Sequence, residues 1–264
     1  MSYNSAHDEL FLADYCNNVV RAVRVRDNAG DLRDVYRAPQ YNSSCIQNVC
    51  HINDSDTLLV FSYEYRFYYK CVNWLVALSR NDSDWLEAQR VQTQKNGWIS
   101  CALSDSRVLI GERMSMYMEL FHVESGPRIA RIHCIHVPET YEWFSATSGS
   151  DTLVAMTYSK YPNQNNSVSV HRLRGDRLEE LARIQLKWPT TLLLLADRLL
   201  VTEYDSEKKS YAVIELEVSH TRLKRRRELI DTSDNIRVRR LCAVNDGLAI
   251  FDSKSKDILH YSIV

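Results

Sequence analysis

AHDELFLADY, residues 6–15, comes back along the chain as DSDTLLVFSY (54–63), LSDSRVLIGE (103–112), GSDTLVAMTY (149–158), LADRLLVTEY (195–204) and VNDGLAIFDS (244–253). In each stretch an Asp precedes a short apolar run: Asp8, Asp56, Asp105, Asp151, Asp197 and Asp246. The intervals are 48, 49, 46, 46 and 49 residues, the length of four short strands with their turns. Turns favour Asp in any protein, so the period needs support from other positions. Tyr15, Tyr63, Tyr158 and Tyr204 each stand seven residues past one of these Asp residues. Trp98, Trp143 and Trp188 open three successive repeats at intervals of 45.

Inside a repeat the apolar residues alternate or run short, and β-branched and aromatic types are plentiful, which is strand patterning. The fifth repeat divides into TTLLLLA (190–196), RLLVTEY (198–204), YAVIELEV (211–218) and LKRRRELI (223–230). One stretch, LEELARIQL (178–186), also fits a helical period, although its place in the repeat argues for an outer strand. Repeated four-stranded units leave short, protected edges when set radially. The expected fold is therefore all-β, a six-bladed β-propeller with four-stranded antiparallel blades, residues 1–264 forming one domain. The last repeat stops at a third strand, ILHYSIV (258–264). Residues 2–6 either complete that blade or begin the first one, and an open blade edge would suit a homodimer.

The 33 Lys and Arg nearly cancel the 34 Asp and Glu, so no net field draws the chain to nucleic acid or an anionic membrane. The start, MSYNSAHDELF, has neither a basic nor an apolar leader region, and no apolar run reaches the length of a membrane span. The expectation is a cytoplasmic protein without a membrane partner. Seven scattered cysteines, mostly in apolar runs, read as buried thiols.

ELFLADYCNNVVRAVRV (9–25) resembles the NHL repeat, in which an apolar strand ends in Ala-Asp, turns through Asn and returns rich in Val. Leu10, Leu12, Ala13, Asp14, Asn17, Asn18, Val20 and Val23 carry the match, and Glu203 stands where Asp14 does in the fifth repeat. The resemblance implies a six-bladed propeller of NHL-like or WD-like type. Such propellers include RNA binders, protein-interaction platforms and a few lyases, so the fold leaves function open.

In such a propeller both aromatic series would gather on one face. Trp98, Trp143, Trp188, Tyr15, Tyr63, Tyr158 and Tyr204 then form either a rosette that receives a peptide side chain or base, or packing between blades. The second repeat holds SYEYRFYYKCVNW (62–74), where Tyr65, Tyr68 and neighbouring rings interleave with Arg66. That composition suits a partner interface or nucleic acid, or a long, half-buried hairpin. The matching stretch of the fourth repeat, SKYPNQNNS (159–167), is polar and reads as a second rim loop. Arg225 and Arg227 within HTRLKRRRELI (220–230), with Arg237, Arg239 and Arg240 in NIRVRR (235–240), form the basic concentration. It reads as a phosphate-binding patch or as a charged edge strand, with alternate residues on opposite faces.

The sequence contains no glycine-rich phosphate loop, GxSxG elbow, HExxH or paired CxxC. The expectation is a non-enzymatic module, without cofactor or metal, that recognises a protein or peptide partner. An RNA-binding propeller is the alternative, and a metal-dependent hydrolase or lyase the third reading.

Overall fold

The structure, a computed structural model, describes the chain apart from residues 26–31, 40–43, 67–69, 83, 95–98, 104, 125, 127, 159–165, 220–221, 233–235, 246 and 263–264. The chain divides into two compact units, Met1–Glu112 with Met118–Cys134, and Arg113–Tyr117 with Ile135–Val264.

The strands run in chain order as successive antiparallel meanders. The first sheet holds β1 (Ser2–Asn4), β2 (Glu9–Asp14), β3 (Val19–Arg24) and β4 (Arg33–Arg37). The second holds β5 (Ser44–Ile52), β6 (Thr57–Arg66), β7 (Lys70–Asn81) and β8 (Asp84–Thr93). The third is β9 (Ile99–Ala102), β10 (Arg107–Gly111), β11 (Ser115–Glu124) and β12 (Arg128–Tyr141). The fourth is β13 (Trp143–Ser148), β14 (Thr152–Tyr158), β15 (Ser167–Arg174) and β16 (Arg177–Gln185). One parallel bridge, His136 to Arg177, joins β12 to β16, so the third and fourth form a continuous eight-stranded sheet. The fifth holds β17 (Pro189–Leu194), β18 (Arg198–Asp205), β19 (Ser210–Ser219) and β20 (Arg222–Thr232). The sixth has three strands, β21 (Val238–Val244), β22 (Gly247–Asp252) and β23 (Ile258–Ser262).

Two open readings are decided here. Residues 177–185 are a strand, because pairing with β15 from Ser167–Gln185 to Arg174–Arg177 overrides the helical spacing. Residues 2–4 pair with β2 and so begin the first sheet, leaving the sixth with three strands among the described residues.

The recurrent Asp has a local cause. Asp8 and Asp56 take positive φ, 56° and 43°, in the turn between the first and second strands, a conformation that Asp tolerates better than most side chains. In the third repeat Ser106, just after Asp105, takes it instead (φ 57°).

The runs LLVF and LLV are continuous rather than alternating because the second strand of a sheet is covered on both faces. In the first unit, Leu58 and Val60 of β6 meet Phe11 and Val20 of the first sheet. Leu59 and Phe61 point the other way, to Val108, Ile110 and Phe121 of the third. In the second unit, Leu199 and Val201 of β18 pack with Val168 and Val170 of the fourth sheet. Leu200, between them, joins Leu241, Leu248 and Ile250 of the sixth.

Candidate functional site

On β18 the parity of Leu199 and Val201 continues to Glu203 and Asp205, so the face that packs on the fourth sheet turns from apolar to acidic at the strand end. Across the ladder, Glu203 faces Ala212 and Asp205 faces Ser210. Small residues there leave room, and a cleft of about 170 Å³ opens on this face of the fifth sheet. Lys187, ahead of β17, and Arg225 and Glu228 of β20 complete its walls, with Lys208 at the rim.

The charges alternate in sign. Glu203 accepts the backbone N–H of Lys187 at 2.7 Å through one oxygen and lies 3.4 Å from Arg225 through the other. Arg225 also reaches Glu228 at 3.7 Å, and the Lys187 ammonium lies 3.6 Å from Asp205. Asp205 ends β18 by accepting the N–H groups of Glu207 and Lys208 at 2.9 and 3.2 Å. The Lys208 N–H, ahead of the opposing effect of burial, lowers its pKa, so Asp205 is a carboxylate at neutral pH. The cleft thus presents three cations, three carboxylates and the Ser210 hydroxyl to one small volume.

Apart from Arg225, the binding residues singled out from sequence fall elsewhere. Trp98 and Tyr68 lie outside the described residues, as do the side chains of Tyr65 and Arg66. The backbone of 62–66 and 70–74 is not a loop: β6 and β7 stay paired out to Arg66 and Lys70. Residues 159–165 of the polar rim stretch also lie outside the description. Trp143, Tyr63 and Tyr158 are buried, at 8%, 6% and 1% exposure, which corrects the picture of rings open to a ligand. Arg240 lies 4.3 Å over the Trp143 ring with Arg113 at 5.9 Å. The Tyr158 hydroxyl sits 3.1 Å from His171 Nε2, and burial pushes its pKa up to about 12. Tyr15 is exposed but spans to the Tyr63 hydroxyl at 2.8 Å, and half-buried Tyr204 lies 4.8 Å from the Tyr211 ring. Trp188 is half-buried and its carbonyl accepts the Tyr204 N–H. Trp143, Tyr63, Tyr158 and Tyr204 act as packing between and within sheets.

The basic run is likewise shared out. Arg225 points into the cleft, while Arg227 lies 2.9 Å from Glu215 and Arg226 3.5 Å from it, on the opposite face. Arg240 covers Trp143, and Arg237 and Arg239 are exposed. A contiguous phosphate patch is not what this arrangement makes, because the bulge at Arg226 sends Arg225 and Arg227 to acids on different faces.

Glu203 appears in the sequence as the counterpart of Asp14, but Asp205, Lys187 and Glu228 carry no repeating signal. The one usable sign was parity, two acids on the apolar face of β18. A second charged cluster, in the first unit, joins its sheets. Glu9, 3% exposed, takes Arg33 and Arg80, and Asp56 accepts from Arg80 at 3.1 Å and lies 2.9 Å from His51 Nε2. Burial raises the Glu9 pKa, but the two guanidinium bonds outweigh it and the net direction is down. Among the described residues no group of three or more His, Cys, Asp or Glu is placed to hold a metal ion. No helix of the described residues is long and apolar enough to cross a membrane.

No family model matches the chain, and no curated protein matches it in sequence. Solved structures do match in shape. A glucose dehydrogenase aligns with TM-score 0.66 at 11% identity, over 100% of this chain and 96% of that one. The soluble aldose sugar dehydrogenase of Escherichia coli gives 0.63 at 10%, over 98% and 94%. A chain of the nidogen/laminin complex gives 0.64 at 10%, over 96% and 88%. The fold is a β-propeller. Propellers of this shape take protein partners, as in the nidogen/laminin and mitotic checkpoint complexes. The expectation of a non-enzymatic module is corrected by the enzymes among these neighbours. The absence of familiar catalytic motifs had argued against an enzyme, yet sugar dehydrogenases share this fold.

Proposed function

We propose that the protein is an enzyme acting on a small polyhydroxylated substrate, a sugar or sugar acid, held in the charged cleft on the fifth sheet. The observation that carries this reading is the alternation of carboxylates and cations around a volume of about 170 Å³. Pockets for drug-sized ligands enclose roughly 300–1,000 Å³, so this one suits a single sugar ring. Carboxylates accept from hydroxyls in charge-assisted bonds, and Lys187 and Arg225 suit an acid group. Glu203, held by the Lys187 N–H and 12% exposed at its side chain, is positioned to take a proton from a sugar hydroxyl whose hydride passes to an external electron acceptor, or from a water attacking a lactone. The sugar dehydrogenases among the fold neighbours favour the same class.

We also read residues 1–264 as one propeller domain of six NHL-like blades. Six successive meanders support this, as does the shared device at the end of β2, β18 and β22, where Asp14, Asp205 and Asp252 each accept N–H groups of the following turn.

Turnover separates the possibilities. Glucose with a dye as electron acceptor, and gluconolactone with a pH indicator, are incubated with wild type and with Glu203→Gln, which keeps the bond to Lys187. We expect turnover of one of them and a fall of about 100-fold in the variant. Turnover that is equal in both would remove Glu203 from the chemistry, and no turnover of any sugar, sugar acid or lactone would overturn the reading.

A further inference from the structure

The outer strands that close the first and second sheets are charged: β4 carries Arg33, Asp34 and Arg37, and β8 carries Asp84, Glu87 and Arg90. Charge on an edge strand discourages pairing with another chain. β23 is the outer strand of the sixth sheet among the described residues, and Ile258, Leu259, His260, Tyr261 and Ser262 include no acid, Lys or Arg. It has the composition of an inner strand in an outer place.

The ground beside it is apolar and then cationic. Leu259 and Tyr261 are half-buried on the cluster formed with the fifth sheet, where Tyr211, Leu229 and Ile230 are also left partly uncovered. Leu229 and Ile230 belong to β20, the outer strand of the neighbouring sheet. A fourth strand of the sixth sheet would lie against them. β20 also holds Arg222, Lys224, Arg225, Arg226 and Arg227 against Glu228 and Asp231. Arg226 and Arg227, with side chains 52% and 53% exposed, stand on the face that looks toward the sixth sheet, where both reach Glu215.

The geometry points to strand addition at this edge: an extended acidic segment of a partner protein, apolar at alternate positions, pairs antiparallel with β23 as its fourth strand. Main-chain hydrogen bonds to 258–262 give the affinity, the alternate apolar side chains cover Leu259, Tyr261 and Leu229, and acids on the segment meet the cations of β20. Acidity selects the partner because β23 offers no charge of its own. This surface is separate from the sugar cleft and stands whether or not that reading does.

The test uses the whole chain and an acetylated seven-residue peptide of alternating valine and glutamate. Hydrogen exchange at 258–262 should slow at least tenfold on adding peptide, and binding should weaken several-fold between 50 and 500 mM salt. A peptide with the same side chains but N-methylated on the pairing edge should bind at least tenfold more weakly. Equal binding of the methylated peptide, or no protection at 258–262, would overturn strand addition. Protection of 258–262 without peptide, in a protein that sediments as a dimer, would assign the edge to a second copy of this chain and overturn the proposed partner.

Discussion

Asp252 ends β22 and gathers the N–H groups of Arg237, Lys254 and Ser255 at 2.8, 2.9 and 3.3 Å, with the Ser255 hydroxyl at 2.8 Å. Burial raises its pKa, but these donors outweigh burial and bring it to about 2. Asp252→Ala leaves backbone donors without their acceptor, and we expect a loss of about 2 kcal/mol in urea unfolding at pH 7. His171 shows the opposite sign. It is fully buried with Nε2 2.6 Å from Ser169 Oγ, its Nδ1 has no hydrogen-bond partner, and burial lowers its pKa to about 4. The unfolded chain, with an ordinary histidine near 6.5, therefore takes up its proton first as pH falls. Stability drops between about pH 6.5 and 4 and this contribution levels off below, with a total of about 3 kcal/mol. Unfolding curves at pH 7 and pH 4.5 should show that slope in wild type and a flatter one in His171→Leu. Sequence spacing set Glu203 beside Asp14, because both lie six residues past a repeat Asp. The structural partner of Asp14 is Asp205, since β18 runs two residues longer before its turn, and a count of residues cannot see hairpin length.

At the scale of elements, turns and close approaches decide what pairs. Gly247 opens β22 opposite β23, and a side chain there would press on the Tyr261 carbonyl and the His260 ring. Backbone cannot yield as a flexible side chain can, so Gly247→Ala should cost more than 1 kcal/mol and speed hydrogen exchange in β23. The Arg113–Met114 turn carries the reverse opportunity. Met114 holds φ 60° with its side chain 60% exposed, and its N–H donates to the Tyr141 carbonyl at 2.7 Å. Glycine takes that conformation freely, so Met114→Gly should gain up to about 1 kcal/mol in the same unfolding assay. Strand identity was legible for most of the chain because runs such as LLVF, flanked by Asp turns, have few other homes. The helical fit of 178–186 was rightly set aside, because place in the repeat weighs a paired neighbour and period alone does not. Of the readings open for the aromatic run 62–74, the long hairpin matches the paired backbone of β6 and β7.

For the whole molecule, the 46–49-residue period carried the fold: it appears as successive meanders, each with two apolar faces, and as a propeller in its neighbours. The site was far less legible. Repeats mark what the sheets share, namely turns and packing rings, and a binding cleft is what one sheet does differently. Trp143, Tyr63 and Tyr158 were conspicuous because they recur, and for that reason they are core. Lys187, Arg225 and Glu228 do not recur, and only the fold brings them to the end of β18. A sugar site requires that a sugar or sugar acid enter that cleft. Calorimetric titration of gluconate into wild type and into Arg225→Met tests it, since Arg225 is 46% exposed at its side chain and its replacement should leave the melting temperature unchanged. We predict saturable binding to wild type and at least tenfold weaker binding to the variant; equal affinity in the two proteins, or no heat with gluconate, glucose or gluconolactone, would contradict a sugar site there.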